Sequence, residues 1–357
     1  MEKLDSEKVE TLQKEAISQR RTDQNLPKIL ELIKVSGQDP ASFESELVTQ
    51  MIQTCLRFSM DQHTTPQLKL VLRALKEMRY AYRIFNQYPK RHKVSIFGSA
   101  RTPENHPDYL AAKKFGELMA DIDWMCITGA ANGIMKAGHE GHKKETSFGL
   151  SIRLAFESTA NAIIEGDPKL ITFRYFFTRK LMFTSHSEAI AVFPGGFGTL
   201  DELFEILTLM QTGKSNIIPV VLMEGEKGQF WSNWLDYIKT NMERTGWISP
   251  EDIHLFHYAA TPAEGVSHIQ QFYRCYNSSR FVKDKLVIRL NYPLSEENIK
   301  ELNAKYFKIV REGNIQQTAA LPEENELMEL PRLVFEYTRR DFGVLRQLID
   351  AINAFPK

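Results

Sequence analysis

Hydrophobic and polar positions change their rhythm twice along this chain, and the changes predict three regions. Over residues 1–90 apolar positions recur at helical spacing, with few β-branched runs and few glycines, which predicts an all-helical N-terminal region. Its clearest helix is predicted at 66–87, with Thr65 as cap, Pro66 in the first turn, and Leu68, Val71, Leu72, Leu75, Met78, Tyr82 and Phe85 in one stripe. Such a stripe is expected to pack against something, another subunit being one choice, and 88–92 reads as the linker after it. Across 91–276 short apolar runs alternate with helical segments, the pattern of a parallel sheet covered on both faces. Strands are predicted at 94–97, 125–128, 149–154, 189–193 and 218–223, with a further one at 254–258; helices are predicted at 109–120, 133–144, 173–184, 200–212 and 230–245. The fold class is α/β, a doubly wound Rossmann-like parallel sheet whose ligands collect at the carboxyl ends of the strands. Residues 277–357 read as a small α+β appendage, with strands at 285–290, 315–321 and 332–338 and helices at 295–310 and 342–353. No internal repeat or low-complexity segment interrupts the pattern.

Composition narrows the partners. The 357 residues are 43% hydrophobic and 25% charged, and 45 basic residues balance 45 acidic ones, so no generic nucleic-acid or membrane surface is expected. Cys55, Cys126 and Cys275 are far apart and form no CxxC pair, which fits a reducing, cytoplasmic compartment. Met1-Glu2-Lys3-Leu4-Asp5 is not followed by an apolar segment, and no run approaches the roughly 18 apolar residues of a span, so neither secretion nor membrane insertion is expected.

Candidate chemistry gathers at three strand-to-loop junctions that a parallel sheet would bring to one edge. They are Phe97-Gly98-Ser99-Ala100-Arg101, Thr128-Gly129-Ala130-Ala131-Asn132-Gly133, and Pro194-Gly195-Gly196-Phe197-Gly198-Thr199-Leu200-Asp201-Glu202. Each alone reads equally as a tight turn, but together they suggest a nucleotide-sized pocket. In the third, glycines follow an apolar strand and precede a helix, so backbone can approach an anion while the helix presents free N–H groups. Thr199-x-x-Glu202 also reads as a capping box, with Glu202 reaching back to the Thr199 amide. Asp201, Glu202 and Glu205 would repel a phosphate there, so a cation must stand nearby; Arg174, Arg179 and Lys180 offer one, unless they are surface charges on a packed helix.

Several decoys fall away. The GxGxxG fingerprint of a dinucleotide site fails because Asp201 stands where the last glycine should be, and Thr212-Gly213-Lys214-Ser215 follows a helix and lacks the first glycine of a P-loop. His139-Glu140-Gly141-His142 has neither HExxH spacing nor a third ligand, so no metal is expected. Ser99 and the cysteines lack a partnered base for covalent acyl chemistry.

The unbroken Pro194–Glu202 motif, of the form PGGxGTxxE, together with the upstream Arg179-Lys180 pair, Gly98-Ser99 and the Gly133-Ile134-Met135 loop, resembles the Lonely-guy (LOG) family, formerly described as lysine decarboxylases. The resemblance covers about residues 93–272, and the aromatic segment before the motif resembles the longer bacterial members. One departure is Gly129-Ala130-Ala131-Asn132-Gly133, where the family carries a loop of the GGGxxG type. The resemblance implies cleavage of the N-glycosidic bond of a nucleoside 5′-monophosphate, AMP or a cytokinin riboside monophosphate, to free base and ribose 5-phosphate. It implies Arg179 and Glu202 as the catalytic pair, with Arg179 keeping Glu202 ionised, and Gly195, Gly196, Gly198 and Thr199 as the phosphate loop. Gly98, Ser99, Gly129, Gly133 and Lys180 are candidate substrate contacts. No metal or organic cofactor is implied, and the protein is expected to work as a homo-oligomer, at least a dimer built on the Rossmann helices. The rival expectation is a non-catalytic nucleotide sensor that uses the same cradle.

Overall fold

The computed structural model describes residues 24–153 and 160–356. The expectations for residues 1–23, and for Leu154 at the end of a predicted strand, lie outside the described residues. The chain divides after Lys76 into two compact units.

The first unit holds α1 (Leu26–Val35), α2 (Phe43–Met60) and the start of α3 (Thr65–Phe85). Ser42 caps α2 by accepting the Ser45 N–H, and Glu44 and Glu46 sit in its first turn, where carboxylates offset the positive helix end. Thr65, expected as a cap, is instead the first residue of α3. The residue before it, Thr64, turns its N–H and hydroxyl to Gln67 Oε1 at 2.8 and 2.9 Å. Of the expected stripe on α3, Leu68, Val71, Leu72, Leu75 and Tyr82 stay exposed, whereas Phe85 is buried and Met78 packs beside it.

The second unit is built on a seven-stranded sheet ordered β4-β3-β2-β1-β5-β6-β7. Its strands are β1 (Lys93–Phe97), β2 (Met125–Thr128), β3 (Ser147–Ile152), β4 (Leu170–Phe173), β5 (Ala189–Val192), β6 (Val220–Leu222) and β7 (His257–Tyr258), all parallel. The apolar runs are continuous because both faces are covered. Val94, Ile96, Ala189 and Ala191 pack against α4 (Pro107–Asp121), α5 (Ile134–His142) and α9 (Pro262–Phe272). Ile190 and Val192 face the other way, toward Met182 and Phe183 of α6 (Phe176–Ser185), Leu203 and Ile206 of α7 (Phe197–Gln211), and Trp231 of α8 (Phe230–Ile238). Strand order reverses at β1, which pairs with β2 on one side and β5 on the other, so the crevice of a doubly wound sheet opens between the ends of β1 and β5.

Local sequence chemistry explains several helix starts. His106 accepts the Asp108 N–H ahead of α4, and Thr261 accepts the Glu264 N–H ahead of α9. Like α5, α6 and α8, α7 has no side-chain cap; its N-cap position is Gly196, so its first two amides, at Phe197 and Gly198, are not taken by a capping side chain.

A second sheet, antiparallel and ordered β10-β11-β9-β8, comes next in the chain. It comprises β8 (Tyr276–Val282), β9 (Lys285–Leu290), β10 (Val310–Thr318) and β11 (Arg332–Tyr337), with α10 (Glu296–Tyr306) and α11 (Phe342–Ala354) over one face. Under the segment before β11, Glu324 bridges Arg289 at 2.9 Å and Arg332 at 3.1 Å, and both the Glu324 and Arg332 side chains are 0% exposed.

Several boundaries differ from expectation. The predicted helix at 173–184 is preceded by strand β4, and 254–258 is a helical turn (Pro250–Leu255) before the two-residue β7. The helix expected at 230–245 keeps α geometry only to Ile238 and continues as a wide turn, Lys239–Glu243. In the second sheet, β8 adds a strand, α10 ends at Tyr306, and the strand expected at 315–321 runs from Val310 to Thr318. No helix among the described residues is long and apolar enough to cross a membrane.

Candidate functional site

The loops after β1, β2 and β5 meet through the backbone of one residue. Ser99 donates its N–H to the Pro194 carbonyl at 3.0 Å and accepts the Ile134 N–H at 3.0 Å. Close approach explains three of the glycines. A Cβ at Gly98 would strike the Ile134 side chain, one at Gly195 the Thr199 side chain, and one at Gly133, which has φ +61°, the Ser99 carbonyl. Gly196 and Gly198 differ, since nothing stands within 4 Å of a Cβ built on either. They border open space beside the uncapped tip of α7, where Phe197 is 96% exposed.

That space is a cleft of about 1120 Å³. It gathers Gly98, Ser99, Gly129, Arg179, Gly196, Gly198, Thr199 and Glu202 from the expected set, and adds Arg101, Met135, Arg153, Phe176 and Phe183. Gly195 instead lines an adjoining recess of about 270 Å³ with Ser99, Arg101 and His106. Gly133 and Lys180 line neither cavity; Gly133 is a turn residue behind Ser99, and Lys180 is drawn into carboxylates.

Glu202 lies well inside α7 because the helix starts at Phe197, and Thr199 is already its third residue. The Thr199 amide donates to the Gly196 carbonyl at 3.0 Å, so the capping-box expectation is corrected: Glu202 does not reach back, and its carboxylate is left for the cleft. The same start removes acidic residues from the first turn of α7, so the expected crowding of an anion by Asp201, Glu202 and Glu205 is relieved by one helical turn.

Two cations from α6 face this carboxylate. Arg179 Nη2 is 3.7 Å from Glu202 Oε1, and Lys180 Nζ is 3.6 Å from Glu202 Oε2. Both separations exceed hydrogen-bond length, so Glu202 keeps its acceptor capacity. Lys180 is committed elsewhere, to Asp201 at 2.8 Å and Glu205 at 2.5 Å. Burial alone would lower its pKa, but those contacts outweigh burial and raise it above the usual lysine value. Arg179 lies between the rings of Phe176 and Phe183, 5.1 and 5.7 Å from their centres, and its buried Nε has no partner among the described residues. Burial lowers the Arg179 pKa against the opposing pull of Glu202 and Asp201. The carboxyl of Glu202 is raised above the ordinary range, burial outweighing the opposing pull of Lys180 and Arg179. Arg179 thus pulls the Glu202 carboxyl toward ionisation, while desolvation opposes it and has the larger effect on the pKa.

A buried polar network supports the β2 loop. Thr128 Oγ1 accepts the Ala130 N–H at 3.0 Å and lies 2.9 Å from His139 Nε2, while Asn161 Nδ2 donates to the carbonyls of Ala130 and Ala131 at 3.1 and 2.9 Å. These bonds hold Ala130 at φ +64°, a conformation that costs a non-glycine residue about 1 kcal/mol or more. His139 belongs to the His139-Glu140-Gly141-His142 run weighed as a metal motif; here it is buried in this network, while Glu140 pairs with Lys113 at 3.1 Å. Asn161 and Arg153 had no motif around them to mark them in the sequence, and Phe176 was marked only as part of the aromatic segment before the motif.

Comparison with known proteins finds relatives of this chain. A family model described as possible lysine decarboxylase matches residues 129–269. Cytokinin riboside 5′-monophosphate phosphoribohydrolase LOG3 of Arabidopsis thaliana is 33% identical over 195 residues, which cover 53% of this chain and 87% of LOG3. LOG1 of the same plant is 34% identical over 94 residues, 26% of this chain and 42% of LOG1. Among solved structures, the molybdenum cofactor carrier protein of Chlamydomonas reinhardtii aligns at a TM-score of 0.35 with 19% identity, over 51% of this chain and 98% of that one. The match to LOG3 spans nearly all of that protein, the family model takes in the glycine loop, Arg179 and Glu202, and the chain belongs to the LOG family.

Proposed function

We propose that the protein hydrolyses the N-glycosidic bond of a nucleoside 5′-monophosphate, AMP or a cytokinin riboside monophosphate, giving the free base and ribose 5-phosphate. The observation that carries this reading is the opposed pair Arg179 and Glu202, set one helical turn beyond an uncapped helix tip in a nucleotide-sized cleft. In this reading the 5′-phosphate sits on the first amides of α7, at Phe197 and Gly198, beside Gly196 and the Thr199 hydroxyl, and its binding energy orients the sugar. Glu202 then faces the anomeric carbon. Its carboxylate stabilises the oxocarbenium-like charge that develops as the bond to the base breaks, and it takes a proton from the attacking water. Water's oxygen joins C1′, and the departing base leaves with the bonding pair and acquires a proton. A raised carboxyl pKa suits a base working near neutrality. Arg179 holds the ribose or phosphate through the donors it does not spend on protein.

The reading extends to assembly and compartment. Phe177 and Leu181, exposed on α6, supply apolar area for a homo-oligomer contact, and the unpaired cysteines suit a reducing cytoplasm. Incubation with a panel of nucleoside monophosphates, with chromatography for free base and ribose 5-phosphate, tests the activity. Release from AMP or a cytokinin riboside monophosphate is expected; binding without release from any of them would favour the nucleotide sensor instead.

A further inference from the structure

We propose that Glu77 is a positioning residue for Arg179, acting through the first turn of α6; the proposal rests on the hydrolase reading of the cleft. Glu77 lies on α3 and is 9% exposed. Its Oε1 accepts the Arg174 N–H at 3.0 Å, and its Oε2 accepts the Thr178 hydroxyl at 2.7 Å. Both partners flank the start of α6, where Tyr175 occupies the N-cap position and makes no side-chain cap of its own. The role that a Ser, Thr or Asp commonly fills from within the chain is therefore filled by a carboxylate 97 residues earlier, in the place where negative charge offsets the helix dipole.

Arg179, next in the chain after Thr178, gives this contact its purpose. Its own N–H reaches the Tyr175 carbonyl at 3.3 Å. Among the described residues no short hydrogen bond fixes its guanidinium: it stands 3.7 Å from Glu202, lies between two phenyl rings, and leaves Nε without a partner there. The position of Arg179 in the cleft is accordingly set by where the first turn of α6 sits. Phe176, which lines the cleft, rides on the same turn. A shift of about 1 Å in a group that orients substrate costs as much as 100-fold in rate, so release of this clamp reaches turnover even though Glu77 touches no substrate.

Two replacements separate clamp from charge. Glu77→Ala removes both bonds, whereas Glu77→Gln keeps them, its amide oxygen accepting from Arg174 and its amide nitrogen donating to the Thr178 oxygen. On a nucleoside monophosphate that the wild type hydrolyses, Glu77→Ala is expected to lower kcat at least about tenfold with KM within about threefold, and Glu77→Gln to stay within about threefold of wild type. Because Glu77 acts through Arg179, the Glu77→Ala, Arg179→Ala double variant is expected to be no slower than Arg179→Ala alone. A wild-type kcat in Glu77→Ala, or a double variant slower by the product of the single effects, would overturn the proposal. Should Glu77→Ala not fold by circular dichroism, Thr178→Val removes the hydroxyl contact alone, and there an unchanged kcat overturns it. If the wild type hydrolyses no monophosphate, the hydrolase reading fails by itself; Glu77 is then judged on AMP affinity by calorimetry, about tenfold weaker in Glu77→Ala and unchanged in Glu77→Gln supporting the clamp, equal affinities overturning it.

Discussion

Arg179 and Glu202 face each other from α6 and α7 at 3.7 Å, close enough for strong Coulomb coupling and too far for a hydrogen bond. The pair is therefore poised rather than closed: each partner keeps capacity for a third group placed between them. That gap governs how the site responds to substitution.

Glu202→Gln preserves the shape of the site and removes the proposed base. Turnover of nucleoside monophosphates is expected to fall by about 100-fold or more, the scale of a lost general base, with AMP affinity by calorimetry within a few-fold of wild type. In the wild type, kcat/KM is expected to fall on the acid side as Glu202 gains its proton, with that limb above the ordinary glutamate value of 4.5 because burial raises the carboxyl. Stability runs the opposite way. The folded protein holds this proton more tightly than the unfolded chain, so the contribution of the group is full at low pH and is lost as pH rises through the raised folded pKa. Glu202→Gln, which never ionises, should melt at or above the wild-type temperature at pH 7 by calorimetry.

Arg179 is expected to tolerate neither shortening nor exchange for lysine. Arg179→Ala leaves Glu202 with Lys180 alone, and Arg179→Lys retains charge but loses the planar fork and its placement between Phe176 and Phe183. Both should lower kcat/KM by about tenfold or more in steady-state assays with circular dichroism unchanged. Wild-type kinetics in Arg179→Lys would make the residue a point charge.

The loop glycines should split into two classes. Gly133→Ala combines a left-handed φ with a collision against the Ser99 carbonyl and is expected to cost about 1–3 kcal/mol or more of folding stability in urea titrations. Gly198→Ala meets open space, so folding should be unaffected while KM for the nucleotide rises as a methyl intrudes on the proposed anion cradle. Equal losses of stability in the two variants would remove the distinction.

In the second sheet, Glu324→Ala strands two arginines that it neutralises, Arg332 with a fully buried side chain. Loss of one member of a buried ion cluster costs about 3–5 kcal/mol, and the thermal midpoint should drop accordingly. Burial would raise the Glu324 carboxyl, yet the Arg332, Leu321 and Arg289 contacts overcome it and hold the carboxyl below its usual range. Its stabilising contribution is therefore present above the unfolded carboxylate pKa and disappears as pH falls through the lowered folded value. Acid titration of the wild type and Glu324→Ala should show their stabilities converging at low pH.

The parts of this fold that depend on neighbours in sequence are legible in the sequence itself. Ala189–Val192 followed by the Pro194–Thr199 glycines predicts strand, cradle and helix because each signal acts within a few residues. Strand β4 escaped because four residues between the turn at Asp167 and the aromatic start of α6 are too few to show a period. Strand β8 escaped because Asn277, Ser278, Ser279 and Arg280 lie on an edge strand and are only partly buried. Residues whose meaning lies in a distant partner were silent. Asn161 reads as one more polar loop residue until it is seen bonded to Ala130, 31 positions earlier, and Glu77 as a solvated helix charge until Arg174 and Thr178 close on it.

The double engagement of Ser99, by its N–H to one neighbouring loop and its carbonyl to another, rivets the rim of the cleft into a single piece. Changes on that rim travel, since displacing any one loop tugs on the other two. Ser151 and Thr172, which also line the cleft, pair with each other across β3 and β4 and stand outside that rivet, so a change in either need not disturb the three loops.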